Sequence, residues 1–311
     1  MCAIFGVLDY KGKLTAAQRL HIDKALGTAA EVRGTDATGI AFFQRDKLCI
    51  QKAPKPARKM KYRIPAEVQY IMGHTRMTTQ GNANENQNNH PFAGKAGSRK
   101  FALAHNGVLT NDWELQFAEN LPKTNIQTDS FVAVQLIEKE KEVTFKSLQR
   151  MAEKVRGSFT FTILDQGNNL YFVRGENPLT IYHYPELGLY LYASTSEILD
   201  VALVSLKMVE TEHKVIQPWP GDILRIDSQG KQETSSFNLM DSYSDALPWF
   251  PFGATTQKKR SSRNHITQQT YIRALKTVAG FHGFEPEFID GLISDGYTTD
   301  DIEDMIYNRR F

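Results

Sequence analysis

Four consecutive runs, SFTFTILD (158–165), LYFVRG (170–175), LTIYHY (179–184) and LYLYAST (189–195), are rich in β-branched and aromatic residues. That composition suits a pleated, half-buried surface. More strand candidates precede them. CAIFGVLDY runs into a KGK turn, GIAFFQ and KLCIQK pair across Arg45-Asp46, and Tyr70 to His74 is a further strand. FALAHNGVLTN reads as a strand, a turn and the start of a helix, and GDILRIDSQGK as a hairpin turning at Ser228-Gln229-Gly230. Helical spacing appears in TAAQRLHIDKALGTAAEV, with Thr15 as cap, in Thr128 to Glu140, and in SEILDVALVSLK. The chain is therefore expected to be α+β, with mostly antiparallel sheets and helices packed on their faces.

A length of 311 residues allows one or two domains and a sizeable core. The formal net charge of +2 calls for neither nucleic acid nor an anionic membrane. Cys2 and Cys49 are too few for a disulfide framework, and Cys49, in an apolar strand-like run, is expected to be a buried thiol. The opening MCAIFGVLDYKGK lacks the basic leader of a signal peptide, and no stretch approaches the roughly 20 apolar residues of a membrane span. A cytoplasmic location is the expectation. Thr255 to Gln269 holds one aliphatic residue and reads as a linker, within a linker segment set at 246–269 between a domain at 1–245 and a small helical appendage at 270–311. In that appendage TYIRALKTVAGFHGF, PEFIDGLISDG and TTDDIEDMIYNRRF read as three short helices. The Lys258-Lys259-Arg260 run reads as solvated linker.

Cys2 carries the chemistry. Once Met1 is removed, it bears both a thiol and a free α-amine of reference pKa about 7.7–8.0, able to act as base for its own thiol. A second-position cysteine alone says little. It is followed in order by Arg33-Gly34-Thr35-Asp36-Ala37-Thr38-Gly39, Gly73-His74-Thr75-Arg76-Met77-Thr78-Thr79-Gln80-Gly81, Asn88-Asn89-His90-Pro91-Phe92, His105-Asn106-Gly107-Val108-Leu109-Thr110-Asn111 and Thr128-Asp129-Ser130. This ordered set resembles the glutaminase domain of the class II glutamine amidotransferases, which are N-terminal-nucleophile hydrolases. The likeness runs from Cys2 to about Asp241 and takes in Arg174 to Leu179 and Ala193 to Glu197.

The resemblance implies a four-layer αββα sandwich of two mostly antiparallel sheets, to which the chain's own helical appendage is added at the C-terminus. It implies Cys2 as nucleophile, with Asn106 and the Gly107 N–H as oxyanion donors. Taken alone, Asn106-Gly107 reads more readily as an ordinary hairpin turn, an order that the ordered set of motifs reverses. The likeness assigns the glutamine α-carboxylate to Arg76 and its α-ammonium to Asp129, with Thr79 and Gln80 in the covering loop. Arg33 and Asp36 are placed as supports behind these, Arg33 near the nucleophile. His74, His90 and His105 show no metal spacing, so neither metal nor cofactor is called for. The chain departs from the family at Ala3, where Gly is usual and a methyl needs negative φ, and at Met77-Thr78 and Gln80.

About 70 residues follow the catalytic domain, with no phosphate loop or phosphosugar-binding pattern among them. The expected function is hydrolysis of the L-glutamine side-chain amide through a Cys2 thioester, with ammonia passed to an acceptor on a separate protein. A cysteine amidase acting on another amide, and a non-catalytic glutamine-binding scaffold, are the rival readings. The acceptor, the partner and a homo-oligomeric state stay open.

Overall fold

The computed structural model describes residues 2–239 together with 272, 276, 285–298, 301, 302 and 305. The chain divides into two compact units, Met1–Tyr243 and Ser244–Phe311. The first holds two antiparallel sheets. In the first sheet β11 (Lys214–Ile216), β9 (Thr180–Tyr184), β10 (Leu189–Ala193), β1 (Ala3–Asp9), β4 (Tyr70–Arg76), β2 (Ala37–Gln44) and β3 (Lys47–Ala53) lie side by side in that order. In the second the order is β13 (Gln232–Ser236), β12 (Asp222–Ile226), β8 (Leu170–Arg174), β7 (Gly157–Asp165), β6 (Arg99–Leu109) and β5 (Phe92–Ala96).

Strand alternation builds three apolar layers from these sheets. Successive side chains point to opposite faces, so neighbours in sequence enter different cores. On β1, Phe5 and Val7 join Ile40, Phe42 and Leu191 beneath Ile22 and Leu26 of α1 (Ala16–Ala29) and Leu199 and Leu203 of α5 (Ser196–Leu206). Ile4 and Leu8 face the other way and meet Ala102, Ala104, Leu164 and Phe172 of the second sheet. The outer face of that sheet, with Phe101, Leu103, Phe161 and Ile163, packs on Val132 and Leu136 of α3 (Phe131–Glu140) and Leu148 and Met151 of α4 (Phe145–Lys154). The result is the four-layer αββα sandwich.

Local signals work as read at α1, where Thr15 accepts from the Gln18 N–H and Gln18 answers in a capping box. Three expectations change. The strand β6 runs unbroken through Asn106-Gly107, without the turn read there, because Asn106 pairs with Thr160 and Gly107 with Phe159 of β7. The helix expected from Thr128 starts at Phe131, and the Ser130 hydroxyl is engaged with His105 Nδ1 at 2.7 Å rather than capping it. Cys49 is half-buried, not buried, because β3 is the edge strand of its sheet.

The four runs from 158 to 195 also divide. β7 and β8 lie in one sheet, β9 and β10 in the other, and the chain crosses between sheets at 175–179.

In the second unit, α6 (Pro286–Ser294) begins with Pro at its first turn and buries Ile289. The linker 246–269, the Lys258-Lys259-Arg260 run and most of the flanking two helices lie outside the described residues. Among the described residues no helix is long and apolar enough to cross a membrane.

Candidate active site

Cys2 immediately precedes the central strand of the first sheet. β1 pairs with β4 in a register that sets Ala3 opposite Thr75 and Ile4 opposite His74, so the next step along the ladder brings Cys2 beside Arg76. Ile4 is the first β1 residue to face the second sheet, and the two-residue period gives Cys2 the same facing. The Cys2 thiol donates to the Met77 carbonyl at 3.5 Å, and the Cys2 carbonyl accepts from Arg33 Nε at 3.1 Å. The strand behind is tied by Ser194, whose hydroxyl accepts from the Ile4 N–H at 3.0 Å. Ala3 is not among the residues with positive φ, so its methyl fits an ordinary strand.

Burial pushes the Cys2 thiol up, against the hydrogen bond to Met77 and the Arg76 charge, which pull it down. The thiol is therefore protonated near neutral pH.

A narrow pocket joins Cys2 to Arg76, Thr79, Gln80, Gly107 and Asp129, with His90, His105, Thr128 and Ser130 also in its wall. Arg76 is buried, and its guanidinium donates to Asn89 Oδ1 at 2.6 Å and to the Gln80 carbonyl at 2.5 Å. Asp129 is buried too. One of its oxygens accepts from the Leu109 N–H at 2.6 Å and the other from the Ser130 N–H at 2.8 Å. Both groups keep unused capacity: a guanidinium carries five donors and a carboxylate about four acceptor sites.

The loop after Arg76 is held from below by Asp36. Its N–H donates to the Arg76 carbonyl at 2.9 Å, and its carboxylate accepts from the Thr78 N–H at 2.8 Å. Between Arg33 and Asp36, a Cβ on Gly34 would stand 2.4 Å from the Arg76 carbonyl carbon and 2.5 Å from the Met77 nitrogen. Only glycine allows that approach. Gln80 extends outward and donates to Asp112 at 3.3 Å.

Asn106 is fully buried, and neither its side-chain nitrogen nor its side-chain oxygen has a partner among the described residues. It faces the space between the sheets, on the same side of β6 as Ala102 and Ala104. Leaving a buried amide unpaired costs on the order of 1–3 kcal/mol, so such a group is poised for a ligand. Gly107 follows with φ +144, and a Cβ there would lie 2.0 Å from the Ser158 carbonyl oxygen. Asn177 steadies the pair. Its side-chain amide donates to the Asn106 carbonyl at 2.9 Å, while its own carbonyl accepts from the Thr160 hydroxyl at 2.6 Å. Asn177 belongs to the Arg174 to Leu179 segment of the sequence resemblance, but nothing in its spacing points to that role.

The three histidines converge, which their spacing does not show. The His74 and His90 rings lie 4.3 Å apart and those of His90 and His105 6.4 Å apart. Burial lowers all three, His74 to about 3, so they are neutral and poor bases. Among the described residues no group of His, Cys, Asp and Glu is arranged to hold a metal ion.

Residues 74–201 match a glutamine amidotransferase domain family. The chain is 26% identical over 269 residues to the glutamine–fructose-6-phosphate aminotransferase (isomerizing) of Streptococcus agalactiae serotype III, covering 80% of this chain and 42% of that protein. The Thermococcus kodakarensis enzyme of the same name is 33% identical over 187 residues, 57% of this chain and 30% of that protein. The chain thus spans less than half the length of these curated relatives. Among solved structures, glutamine phosphoribosylpyrophosphate amidotransferase from B. subtilis superposes with a TM-score of 0.61 at 21% identity, over 76% of this chain and 50% of that one, a likeness of fold. Residues 74–201 of this chain thus carry a glutamine amidotransferase domain.

Proposed function

We propose that the protein hydrolyses the side-chain amide of L-glutamine through a Cys2 thioester and releases the ammonia to an acceptor on a separate protein. The observation that carries this reading is the unpartnered, fully buried amide of Asn106 on the strand facing Cys2. It has the character of an oxyanion donor waiting for its charge.

With Met1 removed, the neutral α-amine of Cys2 takes the thiol proton and the thiolate attacks the amide carbon. Asn106 Nδ2 and the Gly107 N–H receive the oxyanion. The amine then returns its proton to the departing ammonia, and water cleaves the thioester to glutamate. The α-amine fits the base role better than the neighbouring imidazoles, because burial makes His90 and His105 hard to protonate. Arg76 and Asp129, both in the wall of the Cys2 pocket, suit the α-carboxylate and α-ammonium of a free amino acid. Arg33 and Asp36 act through others, the first on the Cys2 carbonyl and the second on the loop carrying Thr79 and Gln80.

The test is intact mass of the purified chain, ammonia release from L-glutamine, and mass again after an electrophilic glutamine analogue. Loss of Met1, glutamine-dependent ammonia and one adduct on Cys2 are expected. Undiminished ammonia release by Cys2→Ala would refute the mechanism.

A further inference from the structure

On the edge strand β3, a cleft of about 730 Å³ is lined by Lys52, Lys55, Lys59, Lys61, Gln51 and Asn86, among others. Its volume is that of a small-molecule site. Among the described residues no carboxylate lines it, and none of the four lysines is paired with an Asp or Glu. Glu31, an acid close in the fold, is committed to Arg58.

Lys55, Lys59 and Lys61, exposed in the segment that follows β3, would by themselves be ordinary solvated surface charges. Lys52 differs from them. It is drawn inward, its ammonium 5.1 Å from the Phe92 ring centre, donating to the Asn89 carbonyl at 2.5 Å and the Pro91 carbonyl at 3.2 Å. An ammonium has three donors, so one N–H remains for the cleft. Burial and the Arg76 charge push Lys52 down to about 8, so bringing a negative group beside it stabilises its charged form. Asn89, whose carbonyl Lys52 holds, also accepts from Arg76 through its side chain at 2.6 Å. Asn86 closes the ring by donating to the Lys52 carbonyl at 2.7 Å.

We propose that this four-lysine cleft binds a multiply charged, phosphate-bearing small anion, and that its occupancy is felt at Arg76 through Lys52 and Asn89. The second half rests on the glutaminase function proposed above; the first does not. The full chain is titrated calorimetrically with inorganic pyrophosphate, with acetate as the singly charged control. A variant carrying Lys55→Gln, Lys59→Gln and Lys61→Gln, all at exposed positions, is titrated in parallel. Pyrophosphate is expected to bind the native chain in preference to acetate, and the triple variant at least tenfold more weakly, with unchanged melting. No binding to the native chain, equal binding of acetate, or equal binding to the variant overturns the site. Pyrophosphate is also expected to shift the KM for glutamine in the native chain and not in the variant. Binding with an unmoved KM overturns the coupling and leaves the site standing. A chain that binds pyrophosphate but releases no ammonia from glutamine overturns the function proposed above, not the site.

Discussion

His74 Nε2, on β4 of the first sheet, donates to the His105 carbonyl, on β6 of the second, at 2.9 Å. One neutral imidazole thus ties the two sheets together at the residue next to Asn106. The bond lies in a fully buried setting where an unpaired carbonyl is costly. His74→Leu is expected to destabilise the fold by about 1–3 kcal/mol and to lower kcat with glutamine. His74→Gln, which can still donate, is expected to recover most of both. Thermal denaturation and steady-state kinetics check this, and equal loss in the two variants would count against the tether.

Among the described residues Asn106 makes no side-chain bond. Removing its amide therefore leaves no partner stranded. Asn106→Ala is expected to lower kcat by about 10²–10³-fold, the scale of a lost oxyanion donor, with melting temperature unchanged or raised. A variant that keeps its rate, or that loses rate only because it unfolds, would remove Asn106 from the chemistry.

Asp23 on α1 is fully buried, both its carboxylate oxygens have no partner among the described residues, and burial pushes it up to about 7. An unfolded Asp ionises near 3.9. Between about pH 4 and pH 7 the unfolded state gives up this proton more readily than the folded state, so Asp23 costs more stability as pH rises through that window. Asp23→Asn removes the penalty. Its melting temperature is expected to exceed that of the native chain by a margin that widens from pH 4 to pH 7 and is level above. The buried neutral histidines act in the opposite sense, losing stability as pH falls below about 6.5, but they are common to both proteins and drop out of the difference. A margin independent of pH would show that Asp23 is not the titrating group.

Gly34 lies against the backbone of Arg76 and Met77 too closely for any Cβ. Gly34→Ala is expected to displace Arg76 and the start of its loop, at a cost of about 2–4 kcal/mol. Both KM and kcat for glutamine should worsen, because Arg76 moves and with it Met77, whose carbonyl holds the Cys2 thiol. Stability equal to that of the native chain would mean the backbone there yields freely.

Periodicity and capping are local, so the sequence alone determines most strands and helices of the sandwich, down to the capping box of Thr15 with Gln18. The ordered motifs, through the family they resemble, point to Cys2, Arg76, Asn106, Gly107 and Asp129 as candidates, and the fold sets Cys2, Arg76, Gly107 and Asp129 around one pocket. Partner choice is not local. Strand alternation says that a segment has two faces but not which distant strand it meets. Only the tertiary structure sends β9 and β10 to the other sheet from β7 and β8, and keeps β6 straight through Asn106-Gly107 by pairing it with β7. Burial is collective in the same way. His74, His90 and His105 are scattered along the sequence, and packing alone makes them one neutral cluster beside Cys2. Asn177 becomes the support of Asn106, and Lys52 the link to Asn89, because the fold leaves each of those carbonyls in need of a donor.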